Sequence, residues 1–277
     1  MGKAKISGSK MKKTLLIIVI MALFLGIAYQ GAAYIPKAEQ ILQNIVKLNR
    51  HLNSLQTRLK TTIFDDQYDG GRIEVSEQVY MKKGGSFRSE RNFPYGENII
   101  IQNGREAIAT VRHEGDIEKR RIETVFPIVY FQESVEDLLD DLNFLGVDTN
   151  VVTFDRIDKT VTFVIGNKDE GMPGSQLWID KKNGAPLRFV GTSTSGGKRI
   201  ILRAEYMDYT RVEKRFWLPT RIEYYRNNEL WTVCIVEEIT VNKKMPQNLF
   251  RISRKINPFP PLIAFLNVKE YLTCSSE

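Results

Sequence analysis

The segment 175–190, SQLWIDKKNGAPLRFV, constrains the fold more than any other part of the chain. Leu177 and Ile179 alternate with Trp178 and Asp180, and Leu187 and Phe189 alternate with Arg188 and Val190. Between them stands Lys181-Lys182-Asn183-Gly184. A period of two belongs to strands with one buried face, and Asn-Gly supplies the positive φ angles of a tight reversal. The segment therefore predicts a β-hairpin whose apolar side chains share one face. Pro186 begins the return strand, a position that tolerates a missing N–H. The same grammar recurs along the chain. Strand patterns at 73–81, 87–90, 98–102 and 106–111 are joined by Gly84-Gly85 and Asn103-Gly104. After Glu114-Gly115-Asp116 they resume at 151–154, 161–165, 200–209, 220–225 and 230–241, with Asn227-Asn228 turning the last pair. Turn signals roughly 8–12 residues apart predict an antiparallel meander that closes or nearly closes.

Two helical patterns interrupt this succession. Ile41, Leu42, Ile45, Leu48, Leu52, Leu55 and Leu59 follow steps of three and four, which predicts a first helix with one apolar stripe. The spacing predicts a second helix over 134–145: Ser134 caps it, Asp137 lies three residues on, and Gly146 ends it. Val135, Leu138, Leu139, Leu142 and Leu145 form its stripe. Both stripes need a partner surface, and the sheet is the large candidate.

The first 33 residues differ from the rest. Five lysines without an acid precede the apolar run 15–29, and Gly31, Ala32 and Ala33 follow. This order predicts a secretory signal peptide cleaved after Ala33. The alternative is an uncleaved anchor, since no charge lies between Thr14 and Pro36. Removing residues 1–33 leaves 244 residues with 35 Lys and Arg against 33 acids, a formal +2. The basic balance thus belongs mostly to the leader and makes no case for nucleic acid. The domain division expected is 1–33 as signal peptide, 34–252 as one binding domain and 253–277 as a tail richer in Pro, with a monomer as the working unit. Two cysteines, Cys234 and Cys274, leave a disulfide open in an exported chain, with small buried or unpaired thiols as the plainer reading.

No catalytic or metal motif is complete. His51 and His113, the two histidines, have no Cys or acid at metal spacing. Asp65, Asp69 and Gly70 imitate a calcium loop, but its twelfth position is Ser76 where a bidentate Glu is needed. In 191–199, GTSTSGGKR, Gly197 stands where a phosphate loop needs Lys, and a strand follows where a helix is needed. Ser195 occupies the second glycine of a nucleophile elbow. A glycosidase-type carboxylate pair depends on three-dimensional geometry and stays open. The reading is a non-enzymatic protein without cofactor or metal.

Three stretches in order resemble a known superfamily. KKGGSFRSE followed by ENIIIQNG resembles the early hairpin of the LolA/LolB-type outer-membrane lipoprotein carriers and their lipoprotein-sorting relatives. LWIDKKNGAPLRF resembles their central hairpin, and LPTRIEYYRNNEL with ITVNKKMPQNLFRI resembles their closing strands. The resemblance covers about residues 38–252. It implies a mainly β, α+β fold: an incomplete antiparallel barrel with helices packed in its open face around an apolar cavity. It further implies a periplasmic carrier of lipoprotein acyl chains or related lipids, with an inner-membrane donor and an outer-membrane acceptor. Arg88 matches an arginine of the carriers' early hairpin, although Ser89 stands where they carry an aromatic. The acyl cavity and its mouth are then expected at Arg88, Leu177, Ile179, Leu187, Phe189, Phe163 and Ile222, with Leu138 and Leu142 on a lid helix. From periodicity alone the same stripes would fill a packed core. The alternative function is an RseB-type sensing or binding module, tethered to the inner membrane if the leader is uncleaved.

Overall fold

The first helix ends earlier than its leucine spacing predicts. In the computed structural model α1 covers Ala38–Asn49, and Leu55 and Leu59 lie on β1 (Ser54–Phe64). A step of four satisfies a helical turn and also returns a strand residue to the same face. The β-branched Thr57, Thr61, Thr62 and Ile63 favour the strand, and β1 is paired on both sides, to β2 and to the last long strand. Glu39 and Lys47 complement the dipole of α1, whose Ala38, Ile41, Leu42 and Ile45 are buried. The structure describes residues 35–103, 106–113, 116–123, 128–167, 174–195, 198–246, 248–251 and 262–263. The leader, Cys274 and nearly all of the C-terminal tail lie outside them.

From β1 the chain meanders through β2 (Arg72–Lys82), β3 (Ser86–Phe93), β4 (Gly96–Asn103), β5 (Glu106–His113) and β6 (Asp116–Glu123). Two helices follow, α2 (Ile128–Phe131) and α3 (Val135–Phe144). The second meander comprises β7 (Val152–Ile157), β8 (Thr160–Ile165), β9 (Gln176–Asp180), β10 (Pro186–Ser195), β11 (Lys198–Val212), β12 (Phe216–Arg226) and β13 (Glu229–Val241). The two-residue β14 (Leu262–Ile263) lies parallel to β6. All other described pairs of neighbouring strands are antiparallel. The sheet order is β14-β6-β5-β4-β3-β2-β1-β13-β12-β11-β10-β9-β8-β7, so β1 and β13 join the two meanders and β7 remains an edge. The result is an open α+β barrel. Bulges at Arg58/Leu59, Tyr224/Tyr225 and Pro186/Arg188 add local twist to the sheet.

Local signals hold closely elsewhere. Ser134 Oγ accepts the Asp137 N–H at 3.0 Å and caps α3, and Gly146, at φ 78°, follows its end. Asn227 and Asn228, at φ 50° and 71°, make the primed turn their sequence predicts. The 175–190 hairpin is present, but its loop is wider than a two-residue turn. Asp180 N–H donates to Ala185 O at 2.8 Å and Gly184 N–H to Asp180 O at 2.9 Å, with positive φ at Gly184 alone. The Asp180 and Asn183 side chains accept the N–H groups of Lys182 and Ala185, which fixes this four-residue loop. Gly166 permits a contact no other residue could make, since a Cβ there would lie 2.3 Å from Ser175 O at φ 113°.

The helices cover one face of the sheet. Their buried side chains and those of β1–β4 and β8–β13 form one apolar cluster. On the opposite face charges pair across strands. Arg188 meets Glu205 at 2.8 Å and stacks over Trp178, while Arg203 lies over Tyr225, whose hydroxyl donates to Glu223 at 2.6 Å. Burial opposes the Glu223 charge, but the Tyr225 hydroxyl and the Arg221 and Arg203 guanidiniums outweigh it and hold its pKa below the usual value.

Candidate functional site

The face beneath the helices has two unlike walls. On β8, β9 and β10 it is apolar: Ile165, Leu177 and Ile179 are fully buried, Phe189 nearly so, and Phe163 packs against the same cluster half-exposed. Register explains the grouping, because Phe163 faces Ile179, Ile165 faces Leu177, and Phe189 faces Leu177 from the other side. Leu138 and Leu142 of α3 are fully buried in this cluster, which Ile222 of β12 joins with a small exposed remainder. Leu187 sits in the bulge of β10, half-buried and outside it. The structure thus brings Phe163, Leu177, Ile179, Phe189, Ile222, Leu138 and Leu142 into one cluster. Arg88 stands apart, on the face of β3 opposite the buried Phe87. Its guanidinium lies 2.5 Å from Glu90 and donates at 3.2 Å to the backbone oxygen of Leu249, in the turn that follows β13.

The second wall, on β1–β4, carries a buried polar row. Leu59, Glu77, Arg91 and Asn98 face one another across four strands. Arg91 Nε lies 2.8 Å from Glu77, with both side chains almost completely buried. Thr61 Oγ1 and Ser89 Oγ donate to the same carboxylate at 2.8 and 2.6 Å. Burial opposes the Arg91 charge, but Glu77 outweighs it and raises the guanidinium pKa. Burial pushes the nearby Cys234 thiol up to about 12, the Glu77 charge adding to it. Sequence reasoning missed this row, yet a signal existed. In β2, Glu77 shares parity with Val75, Val79 and Met81; in β3, Arg91 shares it with Phe87.

A cleft of about 790 Å³ opens between α1 and the β9–β10 loop, within the range of small-molecule sites. Ile41, Leu48, Phe163 and Ile179 supply its apolar lining. Leu48 is 57% exposed, although it belongs to the stripe of α1. Lys47, Arg50, Lys181, Lys182 and Arg215 surround this lining with cations, and Asp180 is the carboxylate among them. Burial first, then the charges of Arg215, Arg50 and Lys83, lower the pKa of His51 beside the rim. Its Nε2 accepts from Arg50 Nε at 2.8 Å. The three segments supplying these cations are remote in sequence, which is why the rim was not legible there. Among the described residues no group of three His, Cys, Asp or Glu could hold a metal, and no helix is long and apolar enough to cross a membrane.

The sequence matches no family model and no curated protein. Solved structures do match. An outer membrane lipoprotein-sorting protein domain from Vibrio parahaemolyticus superposes with a TM-score of 0.52 at 10% identity, over 76% of this chain and 95% of that one. A LolA superfamily protein from Nitrosomonas europaea gives 0.51 at 13% identity, over 79% and 99%. A DUF1329 family protein from Desulfovibrio piger gives 0.50 at 14% identity, over 77% and 95%. At these identities the likeness is one of fold. The chain has a LolA-like fold, an open antiparallel barrel with helices laid over one face.

Proposed function

We propose that the protein is a periplasmic carrier that takes acyl chains of lipoproteins, or related lipids, onto the apolar wall beneath its helices for transport to the outer membrane. One observation supports this reading most: the cleft beside α1 reaches Phe163 and Ile179, which also belong to the apolar cluster or pack against it. A chain lying there would continue onto the wall formed by Leu177 and Phe189 if α1 and α3 moved aside. Each methylene taken from water gains about 0.8 kcal/mol, so acyl chains need such cover in an aqueous compartment. Noncovalent affinity saturates near about −20 kcal/mol, so handover to a membrane acceptor can remain downhill. The carrier acts without cofactor or bond chemistry, receiving its load from an inner-membrane donor. The charge-free stretch between Thr14 and Pro36 favours a second version, an RseB-like binding module tethered by an uncleaved leader.

Native mass spectrometry of protein from the periplasmic fraction tests the carrier reading. Lipid or lipoprotein should accompany the chain, and delipidated protein should bind apolar probes more tightly by about 0.8 kcal/mol per added methylene until the site is full. A bare protein with a flat response to chain length would make the helix-covered face a packed core. N-terminal sequencing separates the two versions: a start near Tyr34 fits a shuttle, whereas an intact leader in the membrane pellet fits the tethered module.

A further inference from the structure

Two groups of cations contrast, while others on the strands, Arg72, Lys82, Arg211 and Arg226 among them, belong to neither. On the sheet, Arg58, Lys60, Arg88, Arg91, Arg188, Arg203 and Arg221 all have carboxylate partners within 4 Å. Around the cleft, Lys47, Arg50, Lys181, Lys182 and Arg215 are exposed, and none is ion-paired among the described residues. Their contacts are of another kind: Lys181 Nζ lies 4.8 Å above the Phe154 ring, and Arg215 lies 5.6 Å from that of Phe216. Asp180 is the carboxylate of the lining, and its Oδ1 already accepts the Lys182 N–H at 2.7 Å. Five cations against one acid is a local excess larger than the formal +2 of residues 34–277. A concave site lined by one sign of charge concentrates ions of the opposite sign. Here that rim encloses the exposed Leu48 and the half-exposed Phe163, with the fully buried Ile179 behind them, so it suits a molecule with an anionic end and an apolar end.

We propose that the α1/β9–β10 cleft is a portal for an anionic amphiphile, whose chain passes over Phe163 and Ile179 while its phosphate or carboxylate head stays on Lys47, Arg50, Lys181, Lys182 and Arg215. The inference rests on the carrier reading and adds the charge of the cargo and its route. Asn44 and Asn183 on the same lining offer amide donors to the head's remaining oxygens. Arginines at the rim hold a phosphate in a planar fork, while lysines contribute point charge.

Binding of lysophosphatidylglycerol and lysophosphatidylcholine of equal chain length, each below micelle formation, decides it, with glycerol phosphate as the free head. The wild type should prefer the anionic lipid about tenfold, as the sum of several exposed ion pairs. The preference should vanish at about 0.5 M salt, where such pairs are screened. The triple variant Lys47→Gln, Lys182→Gln, Arg215→Gln should bring the two lipids close to equal, weakening the anionic one far more than the zwitterionic one. The charge-keeping variant Lys47→Arg, Lys182→Arg, Arg215→Lys should retain the preference. Equal wild-type affinity for the two lipids overturns the inference and leaves the carrier reading standing. Glycerol phosphate binding as tightly as the anionic lipid also overturns it, since the site would then hold phosphate without a chain. Failure of both lipids to bind removes the carrier reading and the portal together.

Discussion

The two walls beneath the helices belong to one sheet and meet different demands. The β1–β4 wall sets Glu77, Arg91, Ser89, Thr61 and Asn98 among its apolar residues, whereas Phe163, Ile165, Leu177, Ile179 and Phe189 on β8–β10 are uniformly apolar. A buried ion pair contributes little net stability against a hydrophobic replacement, but it penalises any register that separates its members. The first wall therefore specifies pairing between strands. The second offers apolar area without a polar group to satisfy, which is what an acyl chain requires. Stability resides on one side and adaptability on the other.

Breaking the first wall should have the largest effect. Arg91→Ala leaves the Glu77 carboxylate buried without its counter-charge and should cost about 3–5 kcal/mol in urea unfolding. The double replacement Glu77→Leu, Arg91→Met should recover most of that loss, because no isolated charge remains. If the double variant were as unstable as the single one, the row would be holding the fold by packing and not by charge.

Truncating the second wall, or the α3 side chain that covers it, comes next. Leu142→Ala and Ile179→Ala, both at fully buried positions, should each cost about 2–5 kcal/mol. Phe163→Ala, half-exposed at the cleft, should cost less in stability and more in affinity for a long-chain probe. An equal loss of stability at all three would erase the distinction between a packed interior and a binding mouth.

Alkali should probe the space between the walls. Burial pushes Cys234 up to about 12 and raises the phenols of Tyr130, Tyr206, Tyr209 and Tyr224, with the Tyr130 and Tyr209 hydroxyls 2.8 Å apart. These folded-state pKa values lie above the unfolded ones, so the unfolded chain releases its protons first as pH rises. The stability these groups contribute is full below about pH 9 and declines above it, by about 1.4 kcal/mol per pH unit for each group in its window. Denaturant midpoints between pH 8 and 11, followed with phenolate absorbance, should fall together. Ionisation of these tyrosines well before unfolding would contradict their burial.

Arg88→Leu should have the smallest thermodynamic effect. Its pair with Glu90 and its bond to Leu249 O together support about 1–2 kcal/mol, and Arg88→Lys should keep part of it. Lipoprotein transfer between membranes by both variants tests its role at the mouth. Wild-type transfer by both would confine Arg88 to anchoring the turn after β13.

How much of this was legible in the sequence follows from the range of each signal. Period-two alternation, Asn227-Asn228 and the Ser134 cap act within a few residues, and each produced the strand, turn or helix end it announced, whereas Asn183-Gly184 gave a reversal at the predicted place with a wider loop. The sequence itself therefore determined an antiparallel, one-faced sheet with helices to cover it. Leu55 and Leu59 fit two periods at once, and only pairing of β1 with β2 and β13 decided for the strand. Parity placed Glu77 and Arg91 on the buried side, but that they face each other follows from the β2–β3 register. The cation rim is more remote still, because α1, the 181–184 loop and the β11–β12 turn are brought together only by the tertiary arrangement of the sheet and helices. Local backbone preference is written in neighbouring residues, whereas the juxtaposition of charges is fixed by strand register and helix docking. The register that pairs Glu77 with Arg91 spans 14 positions, and the rim brings α1 together with loops more than a hundred positions away.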